Sequence, residues 1–485
     1  MADSDSIEHK TLTGGKAYAF ISIFSQIISW VFTFVVIRLL DPQDYGLMSM
    51  ASFLTSFIFV FSNLGLGAGV VQRETVNQAE LSSVFWFSIL VGLIMSIAVF
   101  GLAYPNALIF ENEQLVPITQ LVSIMFITSS IGTVPQNILS RNYQFKDIAL
   151  INMSASFITS IISVWMAYSG FGVYTLIYSA ILLGLIKSIG YLWVSKWIPS
   201  VAFSLQLVKP FLKFGVTLSI ADSITRLLET FDRLIIGKLY NEVLLGYYAT
   251  AINLSSMPID KLSPLINPVL LPMFSRWQND SEKSSSAYLK VLKYYLFLMS
   301  HIYMGALLVA DNLILVVLGE KWVNTTYIFK GFCIVQLFKV LSSYHKVLLT
   351  SQGKASQILK YDVVMTILLM LSILIAALDS FESVVIAWVS VYPVVTIIWM
   401  LTSLSNSGVA ISNYSKTILI GSVSSIVMFA VTFASQWLFR DFYQSMTAVY
   451  QLIFQFSLAG FTFLIFVAAF QRNIVVELLQ LFKSR

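Results

Sequence analysis

The 485-residue chain has one cysteine, three histidines and only an 11% share of charged residues. The single thiol, Cys333, excludes an intramolecular disulfide and a thiolate metal cluster. No His/Asp constellation, nucleophile motif or large extramembrane loop is present, which places a membrane enzyme such as a polysaccharide polymerase or acyltransferase last among the function classes. Residues 1–16 are polar and mixed in charge, without the short apolar core and small-residue cleavage site of a secretory signal. The first hydrophobic span is therefore expected to act as the targeting signal.

What fills the chain is apolar. Hydrophobic residues make up 57% of it, far from an ordinary soluble domain. About fourteen apolar stretches, from residues 15–38 to residues 447–470, are each long enough to cross roughly 30 Å of hydrocarbon. The expected fold class is an all-α polytopic membrane protein. Lys and Arg concentrate in alternate loops, among them Arg73, Arg141, Lys146, Lys196, Lys283, Lys354, Lys360 and Arg472. The opposite loops hold little beyond Arg38, Lys238, Lys321 and Arg440, together with acidic segments at 111–113 and 379–382. By the positive-inside rule the basic side is cytoplasmic, which puts both termini inside. The formal charge of +5 thus reflects membrane orientation and implies no nucleic-acid partner.

A repeat sets the expected architecture. Residues 38–46, RLLDPQDYG, end the first span and open the second; a gapless shift of 200 brings KLYNEVLLG, residues 238–246, to the same place in the seventh and eighth. Leu39/Leu239, Gly46/Gly246, Ala51/Ala251 and Leu54/Leu254 are identical across the shift. Six spans per copy return the chain to its starting side, so the two bundles are expected to be related by a pseudo-two-fold along the membrane normal. The resulting division is an N-lobe at 1–205 (spans 1–6), a C-lobe at 206–410 (spans 7–12), and spans 13–14 with a cytoplasmic tail at 411–485. A cavity at the bundle interface would open alternately to either side as the bundles rock.

Span seven carries the polar signal. Asp222, Arg226, Glu229 and Arg233 alternate in sign at spacings of four, three and four, which puts them on one helical face. Ionisable groups at membrane depth are costly and usually face a protein interior or a wet cavity. Under the shift of 200 they correspond to Ser22, Gln26, Ser29 and Thr33, a neutral polar face expected to line the cavity or to act as interhelical glue. Asp260 and Lys261, flanked by Pro258 and Pro264 on span eight, and Lys339 complete the expected substrate cavity; Asp232 and Lys330 are further ionisable residues of the second copy. Pro258, Pro264, Pro268 and Pro272 each remove a helix hydrogen bond and are expected to interrupt span eight. The row on span seven has a second reading as an intrahelical salt-bridge ladder, and His301 and His345 read as structural rather than as proton relays. No cofactor or metal is expected. If an ion drives transport, H+ or Na+ would couple through Asp222, Glu229 or Asp260.

Four segments carry a family resemblance: RLLDPQDYGLMSM (38–50), LSRNYQFK (139–146) followed by GFGVYTLI (170–177), FDRLIIGKLYNEVLLGYYATA (231–251) and INPVLLPMFSR (266–276). Together they resemble the Wzx-type polysaccharide/O-antigen flippases of the multidrug/oligosaccharidyl-lipid/polysaccharide exporter superfamily. The resemblance implies a flippase of the bacterial inner membrane that moves undecaprenyl-pyrophosphate-linked oligosaccharides to the periplasmic leaflet by alternating access. It implies a lipid-linked oligosaccharide, membrane lipids and other polysaccharide-assembly proteins as partners. Physically, an isoprenoid tail stays in lipid while the sugar head and pyrophosphate need a polar route, and arginine suits phosphate. With such a cargo, Tyr247, Tyr248, Trp165 and Phe24 are candidates to stack on sugars, and the Ser22–Thr33 face is a candidate sugar contact. A MATE-like drug/cation antiporter, favouring a net acidic cavity, and a lipid II flippase are the alternatives within the superfamily.

Overall fold

The structure is a computed structural model. It describes residues 26, 28–63, 70, 73, 75–276 and 281–483; the side chains of 57, 59–63, 213–229, 263–276, 281, 355, 405–406 and 478–483 are outside the description. Among the described residues there is no strand. Ten helices are long and apolar enough to cross a membrane. Four further elements occupy the places of spans one, two, seven and eight: α1 (Ile28–Leu39), α2 (Pro42–Asn63), α9 (Leu205–Leu239) and α10 (Glu242–Arg276). Within the described residues, each of the fourteen expected spans overlaps a helix. The protein is a multi-pass, all-helical membrane protein.

The chain divides into two compact units, Met1–Gly246 and Tyr247–Arg485. In the first, α3 (Gln78–Gly101) and α4 (Ala103–Phe110) precede α5 (Leu115–Val122) and α6 (Ile124–Arg141), which together form span four. The break between α5 and α6 falls at Ser123, whose hydroxyl donates back to the Gln120 carbonyl at 2.6 Å and competes with the helical ladder. Next come α7 (Phe145–Tyr168) and α8 (Val173–Ser195). Small residues let α6 and α8 approach closely. A Cβ on Gly132 would stand 2.6 Å from the Ser188 hydroxyl, and that hydroxyl donates to the Thr128 carbonyl at 2.7 Å. Such small-residue seams replace the hydrophobic drive that is missing between helices in lipid.

The start of α3 is fixed by a capping box. The Asn77 side chain accepts the Glu80 N–H at 2.8 Å, and the Glu80 carboxylate accepts the Asn77 N–H at 2.9 Å while holding Arg73 at 2.9 Å. Asn77→Ala is expected to cost about 1 kcal/mol, read as a lowered melting midpoint in detergent.

The second unit contains α11 (Ser281–Leu313), a π turn at Ile314–Leu318 and a 3-10 turn at Glu320–Trp322. It continues with α12 (Thr325–Ser351), α13 (Ala355–Ala377), α14 (Phe381–Asn406), α15 (Ile411–Leu438), the short α16 (Arg440–Ser445), α17 (Ala448–Phe470) and α18 (Arg472–Lys483). Its core includes a tyrosine stack: the Tyr288 and Tyr344 rings lie 5.0 Å apart, and Tyr414 lies parallel to Tyr288. Helix α10 runs unbroken through Pro258, Pro264, Pro268 and Pro272, where interruption was expected. Three of those prolines follow at intervals of four, so the hydrogen bonds they remove lie along one face while the rest of the ladder persists.

Large apolar side chains face outward on both units, among them Ile97, Leu108, Trp193, Leu378 and Phe470. On a soluble monomer such a surface would be anomalous; on spans of this length it is the lipid-facing belt.

The repeat leaves a direct structural trace. A Cβ added to Gly46 would overlap the backbone carbonyl of Glu242, 2.5 Å from its carbon; one added to Gly246 would overlap the carbonyl of Pro42, 2.6 Å from its carbon. Pro42 and Glu242, like Gly46 and Gly246, are 200 residues apart, so the contact is reciprocal. The starts of α2 and α10 cross backbone to backbone, and the Gln43 amide donates to the Glu242 carboxylate at 3.2 Å beside the crossing.

Candidate functional site

Helix α9 has 35 residues and so extends about 52 Å, with Asp222 at its midpoint. The side chains of Asp222, Arg226 and Glu229 lie outside the described residues, as does Ser22. Arg233 is described: it is half-buried, and its Nε is buried without a hydrogen-bond partner. Its neighbour Asp232 is 2% exposed and accepts the Arg233 backbone N–H at 2.7 Å, which places it inside protein rather than in an open passage. Gln26 and Ser29 on the first span are half-buried, and the Thr33 hydroxyl of that face is taken up by the Ser29 carbonyl at 2.7 Å.

In the second unit, Asp260 and Lys261 are exposed on α10, about 27 Å along the helix from its first residue. Asp260 accepts from the Ser256 hydroxyl at 2.8 Å. One turn earlier Ser255 is buried and held from two helices: Tyr303 donates to its carbonyl at 3.0 Å and Gln336 to its hydroxyl at 3.4 Å. Lys339, one helical turn from Gln336 on α12, places its ammonium 5.3 Å from the Trp388 ring and 5.9 Å from Tyr392. The Ser342 and Tyr392 hydroxyls are bonded at 3.1 Å beside it. The two electron-rich ring faces attract the ammonium and help to hold it there.

Several residues take other roles. Lys330 is paired with Asp311 at 2.6 Å near the start of α12, on exposed surface. Tyr248 is fully buried among Phe332 and Phe381 and is not available to stack on a sugar. Tyr247 is half-buried with its ring edge-on to Trp322, Trp165 is exposed near the end of α7, and Phe24 lies outside the described residues. His345 is buried between the Tyr288 hydroxyl at 3.2 Å and the Ser403 hydroxyl at 2.6 Å, a packed network. His301 bonds the Phe297 carbonyl and packs on Phe463.

Lys238, at the end of α9, is paired with Glu111 at 2.5 Å in the turn after α4. The hydrogen bond from Lys238, reinforced by its charge, holds the Glu111 carboxyl below the usual carboxylate range. A lowered folded-state value adds stability above the unfolded pKa of about 4.3, lost as pH falls through the lowered value. Glu111→Gln is therefore expected to shift the melting midpoint slightly downward at pH 7, with the difference from wild type vanishing as the pH is taken well below 4.

Residues 35–327, more than half of the sequence, match the family model described as polysaccharide biosynthesis protein. The chain belongs to that family. It is 26% identical over 377 residues to the lipopolysaccharide biosynthesis protein WzxC of Escherichia coli (strain K12), covering 76% of each chain. It is 25% identical over 395 residues to the teichuronic acid biosynthesis protein TuaB of Bacillus subtilis (strain 168), covering 79% of this chain and 80% of TuaB. Among solved structures, the lipid II flippase MurJ in an inward closed conformation superposes with a TM-score of 0.73 at 16% identity, over 94% of this chain and 99% of MurJ. At that identity the likeness establishes the fold alone. This member of the family is thus an all-helical membrane protein with the fold of MurJ, related to proteins of polysaccharide biosynthesis.

The sequence did not single out Asp311 as the partner of Lys330, Glu111 as that of Lys238, or the crossing at Gly46 and Gly246. For the crossing a signal existed: both glycines are preserved across the shift of 200 in a segment otherwise rich in large residues.

Proposed function

We propose that the protein is a flippase that carries polyprenyl-pyrophosphate-linked oligosaccharides from the cytoplasmic to the periplasmic leaflet of a bacterial inner membrane, with both termini cytoplasmic. The observation that carries this reading is α9. It is a membrane-length helix with ionisable residues at 222, 226, 229, 232 and 233, and it lies wholly within the family-matched segment. Charges through the middle of a span require a polar environment, and a sugar head with a pyrophosphate is a cargo that needs one. The unpaired Arg233 Nε offers a donor to an anionic group, and Lys261 and Lys339 add positive charge in the second unit. Drug or cation export, which favours a net acidic cavity, is less well matched by the mixed-sign row on α9.

The test is depletion in the native host, with lipid-linked precursor measured on each leaflet. Precursor should accumulate on the cytoplasmic leaflet and be cleared by wild type. Well-expressed Arg226→Ala or Glu229→Ala should restore surface polysaccharide at least tenfold less. An unchanged leaflet distribution on depletion would defeat the flippase reading and bring drug efflux forward. Full rescue by both variants would leave the flippase and reduce the row to a packing role.

A further inference from the structure

Away from the charged helices, α13 and α14 enclose an outward-facing groove of about 460 Å³. Its composition changes along its length. At one end stand Gln357 and Lys360 on α13, with Thr402 and Ser403 on α14; about 17 Å further along, the lining is Leu368 and Val395. Between them the half-buried Trp399 ring stacks at 4.0 Å and 19° on the buried Tyr361 ring and forms a flat wall. The polar end belongs to the Lys-rich side of the membrane, cytoplasmic by the positive-inside rule.

Two polar groups there are unmet. Lys360 is exposed and has no carboxylate within ion-pair distance among the described residues, whereas its neighbour Lys346 is paired with Asp362 at 2.5 Å. The side-chain oxygen of Gln357 is buried without a hydrogen-bond partner. A buried carbonyl oxygen needs a donor, and no described group of the protein supplies one. An ammonium, an unmet acceptor and an apolar trough in that order match an amphiphile with a phosphate, a hydroxylated headgroup and a hydrocarbon chain. We infer that the α13–α14 groove is a binding site for an anionic glycerophospholipid of the cytoplasmic leaflet, its phosphate on Lys360, its headgroup hydroxyl on the Gln357 oxygen and one acyl chain against Trp399 and Leu368. Basic pockets between spans on the cytoplasmic side are a recurring form of such recognition. The site is independent of the cargo proposed above.

Native mass spectrometry of the full chain, exchanged into micelles with phosphatidylglycerol or phosphatidylcholine at matched chain length, tests the assignment. One phosphatidylglycerol should be retained at least fivefold more than phosphatidylcholine. Lys360→Ala should abolish that preference, and Gln357→Leu should weaken it, while Lys416→Ala, an exposed cation of α15, leaves it intact. Circular dichroism melting of each variant separates loss of lipid from loss of fold. Equal retention of the two lipids, or retention unaffected by Lys360→Ala in folded protein, would overturn the inference. So would displacement of phosphatidylglycerol by an equimolar polyprenyl pyrophosphate, since the groove would then belong to the transported lipid.

Discussion

Gly46→Ala and Gly246→Ala are each expected to abolish function and to lower stability by on the order of 3 kcal/mol, at the upper end of overpacking penalties. The atoms in the way are the carbonyls of Glu242 and Pro42, and a backbone group cannot rotate aside as a flexible side chain can. Accommodating one methyl requires the start of one helix to move off the other, and the Gln43–Glu242 hydrogen bond is lost with it. Gly101→Ala is the matched control, because nothing lies within 4 Å of its added Cβ and alanine favours the helix by about 1 kcal/mol. Thermal melts in detergent and surface-polysaccharide staining in a complemented strain read both effects. A Gly46→Ala protein that melts with wild type would show that the crossing is looser than its geometry.

Trp322→Ala carries the second large effect. Trp322 is fully buried at the end of the 3-10 turn that links α11 to α12, beside Gly319 at φ +97° and edge-on to Tyr247 at 6.1 Å. Removing a buried indole leaves a cavity that rigid helix ends cannot close, and about 3–5 kcal/mol is expected to be lost. Trp437, 72% exposed on α15, is the comparison: its replacement by alanine should leave the melting midpoint nearly unchanged. Equal midpoints for the two variants would contradict the packing described for the turn.

Much of the fold was legible in the sequence because span length and apolarity are averages over some 20 residues, and averaging forgives local error. Thus α3, α7 and α17 sit where hydropathy puts them. Direction is not an average. Tyr248 and Tyr247 are adjacent and chemically alike, yet one is fully buried and the other half-buried, a difference set by the neighbours Phe332 and Phe381 from distant parts of the chain. Lys330 and Lys339 likewise read as equivalent cations within one span. Only the fold shows the first paired with Asp311 and the second resting on Trp388. The break at Ser123 and the continuity of α10 through its prolines were hidden for a related reason. Each depends on whether a side chain or a neighbouring element satisfies a particular backbone group.

The reciprocal crossing of residues 42–46 with 242–246 has the form of an isologous interface, in which one patch meets its own copy and residue i touches j as j touches i. Here both copies lie on a single polypeptide. Each of two equivalent segments thus packs on the other, the arrangement expected of two subunits fused end to end. Both glycines serve the same joint, so losing either one opens it, as a single substitution at the axis of a symmetric dimer disturbs both halves.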